Sequence, residues 1–558
     1  MQPYLSENSL EAEFGQTVTL MYEPGWFGLM KARRMTDRTY DAVVIGSGLG
    51  GLTAGALLAH AGYSVCLLER NFSLGGAASV YKVGDLSIEA SLHQTSDARN
   101  PRDVKHDILS RLGILDEIEW QSTGPLYRVR GGPIGDPFEL PCGFDAAHDA
   151  LATRFPDKSA AIKSFLGEVE RIHDAFWTLK QSRAEGSFAK LGRALWEAAP
   201  AIADWERSLD EIFTRDFAGA EALKCALGAN LAYYGDDPRQ LWWIFFALAQ
   251  GGYIASGGAY IKGGSRQLSL KLAKVITKSG GMVRMGRLVT RIETDADGQV
   301  TAIRHVARRA GDNEERVAAR VVMANCAPSV AAAMMDAPIR ARMERAFGSR
   351  RLSTSLFSAN FGLREKPANV GLTSFSTIVL PQGMKRFDQY GDGADAMSRD
   401  PQGAMPLHTI ANFTAVDSGL WDEPPILLSV LGLDRLTNWQ GLSKEAAIDR
   451  RERWLDAVQA SLEKDYPGFS ALVTNRMLLN AFSMSSYLNT PEGAVYGFAA
   501  LPPQAPILAG FPRTPETPAP GLYLASAFGG EHGFNGAMLS GAEAARLAEE
   551  RLSARADS

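Results

Sequence analysis

The chain has 558 residues, several times the ~150 of an ordinary domain, so its length calls for two or more units rather than one compact body. Hydrophobic residues at 46% and charged residues at 22% exclude a fibrous or largely disordered chain. A net charge of -5, with no basic run longer than Lys31–Arg34, excludes a phosphate-tracking surface, so no nucleic-acid partner is expected.

Residues 1–39 carry Pro3 and Pro24 and show no sustained period, which predicts an irregular extension folded back over the body. Glu7, Glu11 and Glu13 precede any apolar stretch, the wrong order for a secretory signal. Ala42–Ile45 then reads as a strand buried on both faces, Leu52–Ala61 as a helix ending near Gly62, and Ser64–Glu69 as a second buried strand. Together they make a βαβ unit. Helical stretches follow over 104–118, 157–182, 188–203 and 208–226. Arg287–Glu293 and Val300–Val306 flank an Asp-Gly turn at Gly298, the signal of a hairpin. Ala318–Ala324 predicts another buried strand, and Met538–Leu552 a closing helix. The most apolar stretch, Leu241–Ala255, is broken at Gln250–Gly252 and falls short of the ~20 residues that span a bilayer. Cys66, Cys142, Cys225 and Cys326 form no CxxC pair, which argues against a thiolate metal site or a disulfide framework and fits a reducing cytoplasm; no metal is expected.

Gly46-Ser47-Gly48-Leu49-Gly50-Gly51 matches GxGxxG directly after the first strand, and Glu69 ends the second strand 23 residues after Gly46. The first glycine permits the tight turn and the second the approach of a pyrophosphate. The third lets the helix pack on the strand, while the helix N-terminus favours the diphosphate charge. An acid at position 69 would accept a ribose 2′-hydroxyl and argues against a 2′-phosphate. FAD and NAD both satisfy this much.

Glu69-Arg70 is followed by Leu74-Gly75-Gly76-Ala77, and here the chain resembles the two-dinucleotide-binding flavoproteins. At the other end, the strand Gly521–Ala527 runs into Gly529-Gly530, Gly533 and Gly536 and then a helix. This resembles the closing strand, glycine turn and helix of the phytoene desaturase, carotenoid isomerase and retinol saturase superfamily. Three segments between are similar to that family's: Gly257–Leu268, the strand around Val289 and Ile292, and Thr490–Gly497.

The resemblance implies an α/β architecture, a Rossmann-type FAD-binding domain with a discontinuous α+β substrate domain. We expect an N-terminal extension over 1–39, an FAD-binding domain from 40–125, 262–330 and 490–558, and a substrate and membrane-facing domain from 126–261 and 331–489. It implies cofactor contacts from Gly46, Gly48, Gly50, Gly51, Glu69, Arg70, Gly75, Gly76, Ala77 and Val289, and from Gly530, Asn535, Gly536, Ala537 and Met538 in the closing turn and helix. Where carotenoid desaturases have His-Pro-Gly-Gly-Gly, this chain has Glu531-His532-Gly533-Phe534-Asn535-Gly536, a carboxylate and an imidazole beside the expected isoalloxazine. Ala525-Ser526-Ala527 also replaces the acid common in the family's closing strand. His93, one of eight histidines, follows the second glycine pair at a place where the saturases and isomerases turn a histidine toward the flavin. His93, Glu531 and His532 are therefore the candidates for a proton role.

The expected activity is desaturation of carbon–carbon bonds in a long apolar lipid chain, a carotenoid-like polyene or a fatty acyl chain. The alternatives are saturation or cis-trans isomerisation of a polyene, and, in another class, an FAD-stabilised lipid-binding or complex-forming protein. An aromatic segment like that from Tyr233 to Tyr253 is most often core, and in the fold that the resemblance implies it also suits the wall of an apolar tunnel; both readings stand. A cytoplasmic protein in peripheral contact with a membrane is expected, with oxygen or a quinone as electron acceptor, since no second GxGxxG follows a buried strand.

Overall fold

The computed structural model describes residues 18–20, 39–91, 93–185, 199, 203–308, 314–401, 403, 405–505, 514–530 and 532–554. Most of the helix expected over 188–203 lies outside them.

Two seven-stranded sheets organise the chain. The first begins with Thr39–Ile45, whose apolar residues from Ala42 onward leave neither face for water. Val65–Leu68 lies parallel on one side of it and Glu315–Ala324 parallel on the other. Met282–Arg284 extends the sheet beyond Val65–Leu68, and Leu522–Leu524 adds in parallel to Glu315–Ala324. Parallel pairing buries both faces, which is why these strands read as continuous apolar runs. The hairpin of Arg287–Thr294 and Val300–Ala307 is antiparallel, closed by a turn with Gly298 at φ +83°. The βαβ unit's helix is Leu49–His60, and against it pack the helices Arg266–Lys278 and Gly533–Ala554.

The second sheet runs in the order Val473–Leu479, Ser355–Leu363, Ile426–Asp434, His408–Asn412, Ser376–Leu380, Tyr127–Gly131, Gly135–Leu140. One face is closed by the helical segment that includes Ser159–Glu185, Leu209–Phe217 and Trp243–Ser256, with Phe165, Phe213, Trp243 and Phe246 in its core. Two smaller sheets join the halves: Thr95–Ser96 and Trp120–Ser122 pair with Gly258–Ile261, and Leu86–Glu89 pairs with Val80–Val83. Val18–Leu20, inside the stretch expected to be irregular, adds as a strand to Val80–Val83. Backbone pairing on an open sheet edge requires no side-chain period, so the sequence gives no sign of it.

Candidate active site

Both glycine-rich turns and the closing helix meet at the C-terminal edge of the first sheet. Gly46 holds φ +92°, a conformation that disfavours other residues. Gly48 precedes the helix Leu49–His60 in extended conformation, and no side chain caps that helix. The helix starts three residues before the expected Leu52, because Gly50 and Gly51 sit in its first turn. A Cβ on Gly50 would stand 2.2 Å from the Ala525 carbonyl oxygen, and one on Gly51 would stand 2.4 Å from that of Gly46. Gly541 of the closing helix faces Gly50 in the same way, its own Cβ position lying 2.2 Å from the Gly50 carbonyl oxygen. These glycines serve the packing of two helices and a strand rather than the cavity surface.

Glu69 is 5% exposed and stands on the cavity wall. One carboxylate oxygen accepts the Ser47 amide at 2.8 Å and the Ser47 hydroxyl at 2.7 Å, and the other accepts the Asn71 amide at 2.7 Å. A carboxylate offers about four lone-pair sites, so capacity is left for a ribose hydroxyl. Gly75, at φ +105°, donates its amide to the Ser47 carbonyl at 3.0 Å, and a Cβ on Gly76 would meet Gly48 Cα at 3.3 Å. The second glycine pair thus braces the first turn, with Ala77 beside it on the wall. Arg70 spends its guanidinium on the carbonyls of Ser486 and Tyr487, at 3.2 and 2.5 Å, at the end of the helix Ala481–Leu488.

Sequence reasoning missed Asn325, which follows the strand Glu315–Ala324. Its side chain accepts from the Gly48 amide and donates to the Ala525 carbonyl, both at 2.8 Å. A single asparagine after an apolar run carries no pattern that would have pointed to it.

One cavity of about 1170 Å³ connects these groups. It runs from Gly46, Gly48, Glu69 and Val289 past Asn535 and Ala537, and on between Phe176, Trp177, Phe245, Leu248 and Tyr253. Leu356, Thr409, Leu431 and Gly432 of the second sheet also line it. The aromatic segment divides: Trp243 and Phe246 are wholly core, while Tyr233, Tyr234, Phe245 and Tyr253 reach the wall. Gly530, Gly536 and Met538 stand behind the wall. Gly530 packs on Ser540, the Gly536 amide donates to the His532 carbonyl at 3.1 Å, and Met538 is fully buried.

His93 lines the cavity at 8% exposure, its ring 6.3 Å from that of Phe413, and it makes no hydrogen bond within the described residues. Burial pushes its pKa down to about 3, so the imidazole is neutral through the physiological range. His532 differs. Its two nitrogens lie 2.6 Å from the Tyr234 carbonyl and 2.8 Å from the Phe498 carbonyl, and its ring stacks on Tyr496 at 5.5 Å. The two carbonyls and the ring contact tie three segments of the chain together at this imidazole. Glu531 lies outside the described residues.

An uncapped glycine turn, a buried acid beside it and a long cavity with apolar walls define a class: a flavin-dependent oxidoreductase of α/β fold. The chain belongs to the flavin containing amine oxidoreductase family, whose model matches residues 49–548. It is 25% identical over 518 residues to the all-trans-retinol 13,14-reductase of Macaca fascicularis, covering 87% of this chain and 81% of that one. It is 24% identical over 512 residues to the neurosporene-forming phytoene desaturase of Rhodobacter capsulatus, covering 88% and 90%. An oxidoreductase from Methanosarcina mazei shares the fold at a TM-score of 0.56 and 14% identity, over 90% of this chain and 99% of that one. The cyclohexylamine oxidase of Brevibacterium oxydans shares it at 0.54 and 15%, over 92% and 99%.

Proposed function

We propose that the chain binds FAD and desaturates carbon–carbon bonds of a long apolar chain of the carotenoid-like polyene or fatty acyl kind. The observation that carries this reading is the continuity of one cavity from the glycine turn to the wall of Phe176, Trp177, Phe245 and Leu431. Its volume of about 1170 Å³ exceeds the ~300–1,000 Å³ of ordinary small-molecule pockets. The dinucleotide and part of a substrate chain share one space. The relatives support the substrate class, since one is named for all-trans-retinol and the other for phytoene. The amine oxidase fold neighbours do not carry an amine substrate to this chain. Among the described residues that line the cavity, the carboxylates are Glu69 and Asp103, both already hydrogen-bonded, and neither stands on the apolar wall.

Bound FAD supplies a two-electron acceptor for a hydride from carbon. The turn at Gly46 and Gly48 and the open amides of the helix after it would hold the diphosphate, and Glu69 the ribose. The apolar walls align the substrate chain and exclude water. His93 would hold a neutral imidazole toward the reacting region, as a hydrogen-bond group rather than a strong base. We assign 40–125, 262–330 and 490–558 to cofactor binding, and 126–261 and 331–489 to the substrate.

Saturation by reduced flavin is the second reading, supported by the likeness to a retinol reductase. No helix among the described residues is long and apolar enough to cross a membrane, and an apolar substrate calls for peripheral contact with one. Reoxidation by oxygen or a quinone completes the proposal. Anaerobic mixing of the FAD-loaded protein with candidate lipids, with mass spectrometry of the product, tests it. Loss of two hydrogens from the lipid with bleaching of the flavin is expected. A gain of two hydrogens, seen only with pre-reduced flavin, would assign the saturase reading, and bound FAD that no lipid reduces or oxidises would leave a binding protein.

A further inference from the structure

A lysine buried without exposure stands directly behind the cavity wall, in a group that the proposed mechanism does not use. Lys105, at 0% exposure, points its ammonium at three acceptors: the Asn535 side-chain oxygen at 2.5 Å, the Ser96 hydroxyl at 2.9 Å and the Asp103 carboxylate at 2.9 Å. Its charge also lies 5.9 Å from the centre of the Trp120 ring. Asp103 caps the helix Val104–Arg111 by accepting the Lys105 amide at 2.8 Å, and it also accepts the Ser96 hydroxyl. Asn535 donates back to Ser96 at 2.8 Å.

Asn535 and Asp103 line the cavity, whereas Lys105 and Ser96 do not. The group joins the first turn of the closing helix to the segment that follows His93. Removing an ammonium and a carboxylate from water is expensive, and an apolar pair of the same volume often serves stability as well. Burial pulls the Lys105 pKa down, and the Asp103 charge pulls it back. Stability alone is therefore a poor account of the pair.

We propose that Lys105 and Asp103 form a positioning and charge-balancing pair for the flavin, in which Lys105 acts through Asn535 to orient the start of the closing helix and neutralises a carboxylate that would otherwise face the cofactor. This rests on the flavin reading of the cavity. Removing the cation leaves Asp103 unbalanced on the wall, which disfavours the added electron density of reduced flavin. Removing the carboxylate leaves the ammonium unbalanced and favours it. A merely structural pair would give both substitutions the same sign.

The test measures the midpoint potential of bound FAD, with FAD affinity alongside, in the parent, Lys105→Met, Asp103→Asn and the double variant. Asparagine is a good helix cap, so Asp103→Asn keeps that contact and carries the test by itself if Lys105→Met fails to fold. One uncompensated charge within roughly 10 Å of the flavin suffices for about a tenfold change in its reduction equilibrium, about 30 mV for a two-electron couple. A fall in Lys105→Met, a rise in Asp103→Asn and a return toward the parent in the double variant are expected. FAD bound with unchanged potentials, or with both shifted the same way, overturns the proposal. A parent protein that takes up no FAD overturns the flavin reading and this proposal with it.

Discussion

Asn325 accepts the Gly48 amide at 2.8 Å and passes its own amide hydrogen to Ala525 at 2.8 Å, so one side chain joins the glycine turn to the closing strand. Its backbone amide binds the Ile45 carbonyl at 2.8 Å as well. A Cβ on Gly48 would stand 2.5 Å from the Asn325 side-chain atom that faces it, the oxygen that accepts the Gly48 amide. Gly48→Ala is therefore expected to displace Asn325 and abolish flavin loading, seen as a purified protein without visible flavin absorbance. A yellow variant of parental FAD content would show that the turn has slack.

Glu69→Ala should weaken FAD binding by roughly 1 to 3 kcal/mol, the range for losing a partner to a charged hydrogen-bonding group. It also orphans the Ser47 and Asn71 amides. Calorimetric titration of the apoprotein measures the loss. Unchanged affinity would place the ribose elsewhere.

Gly541 and Gly50 bring two helices to backbone contact. Gly541→Val should lower stability by about 1 to 3 kcal/mol through overpacking, read as a lower melting temperature, and should reduce FAD uptake in parallel. A variant that melts like the parent would mean that the helices can separate without penalty.

His93 gives a prediction with a definite sign. Its folded pKa of about 3 lies below the ordinary 6.5, so the unfolded chain takes up a proton that the native ring refuses. Stability is lost as pH falls from 6.5 toward 3. His93→Gln should flatten that part of the pH–stability curve measured in urea. For the same reason His93 should add no titration between about pH 5 and 8 to the rate of flavin reduction. His93→Phe should slow reduction by up to about tenfold through a lost hydrogen bond, with His93→Gln closer to the parent. Equal rates in all three proteins would remove His93 from the site.

The nucleotide half was legible because its demands fall on glycine. Gly46 and Gly75 need positive φ, Gly50 and Gly51 need absent side chains, and parallel pairing of Thr39–Ile45 leaves a continuous apolar run. The second sheet was not legible. Every residue of Ile426–Asp434 is buried, as is nearly every residue of Ser355–Leu363, so neither strand shows the alternation that marks a half-exposed one. Asn325 and the group around Lys105 were invisible for another reason: each depends on a partner from a distant part of the chain, Gly48 and Ala525 for Asn325 and Asn535 for Lys105, and only the fold brings Asn535 to the ammonium that Ser96 and Asp103 already hold.

Leu522–Leu524 pairs with Glu315–Ala324, and the helix that follows it closes on Gly50. On the ribosome, the βαβ unit that begins the site therefore waits through most of synthesis before its last wall exists. Until Gly541 has been made and has folded onto Gly50, the turn at Gly48 lacks its second wall, so the site that the first strands begin is completed only by the closing helix.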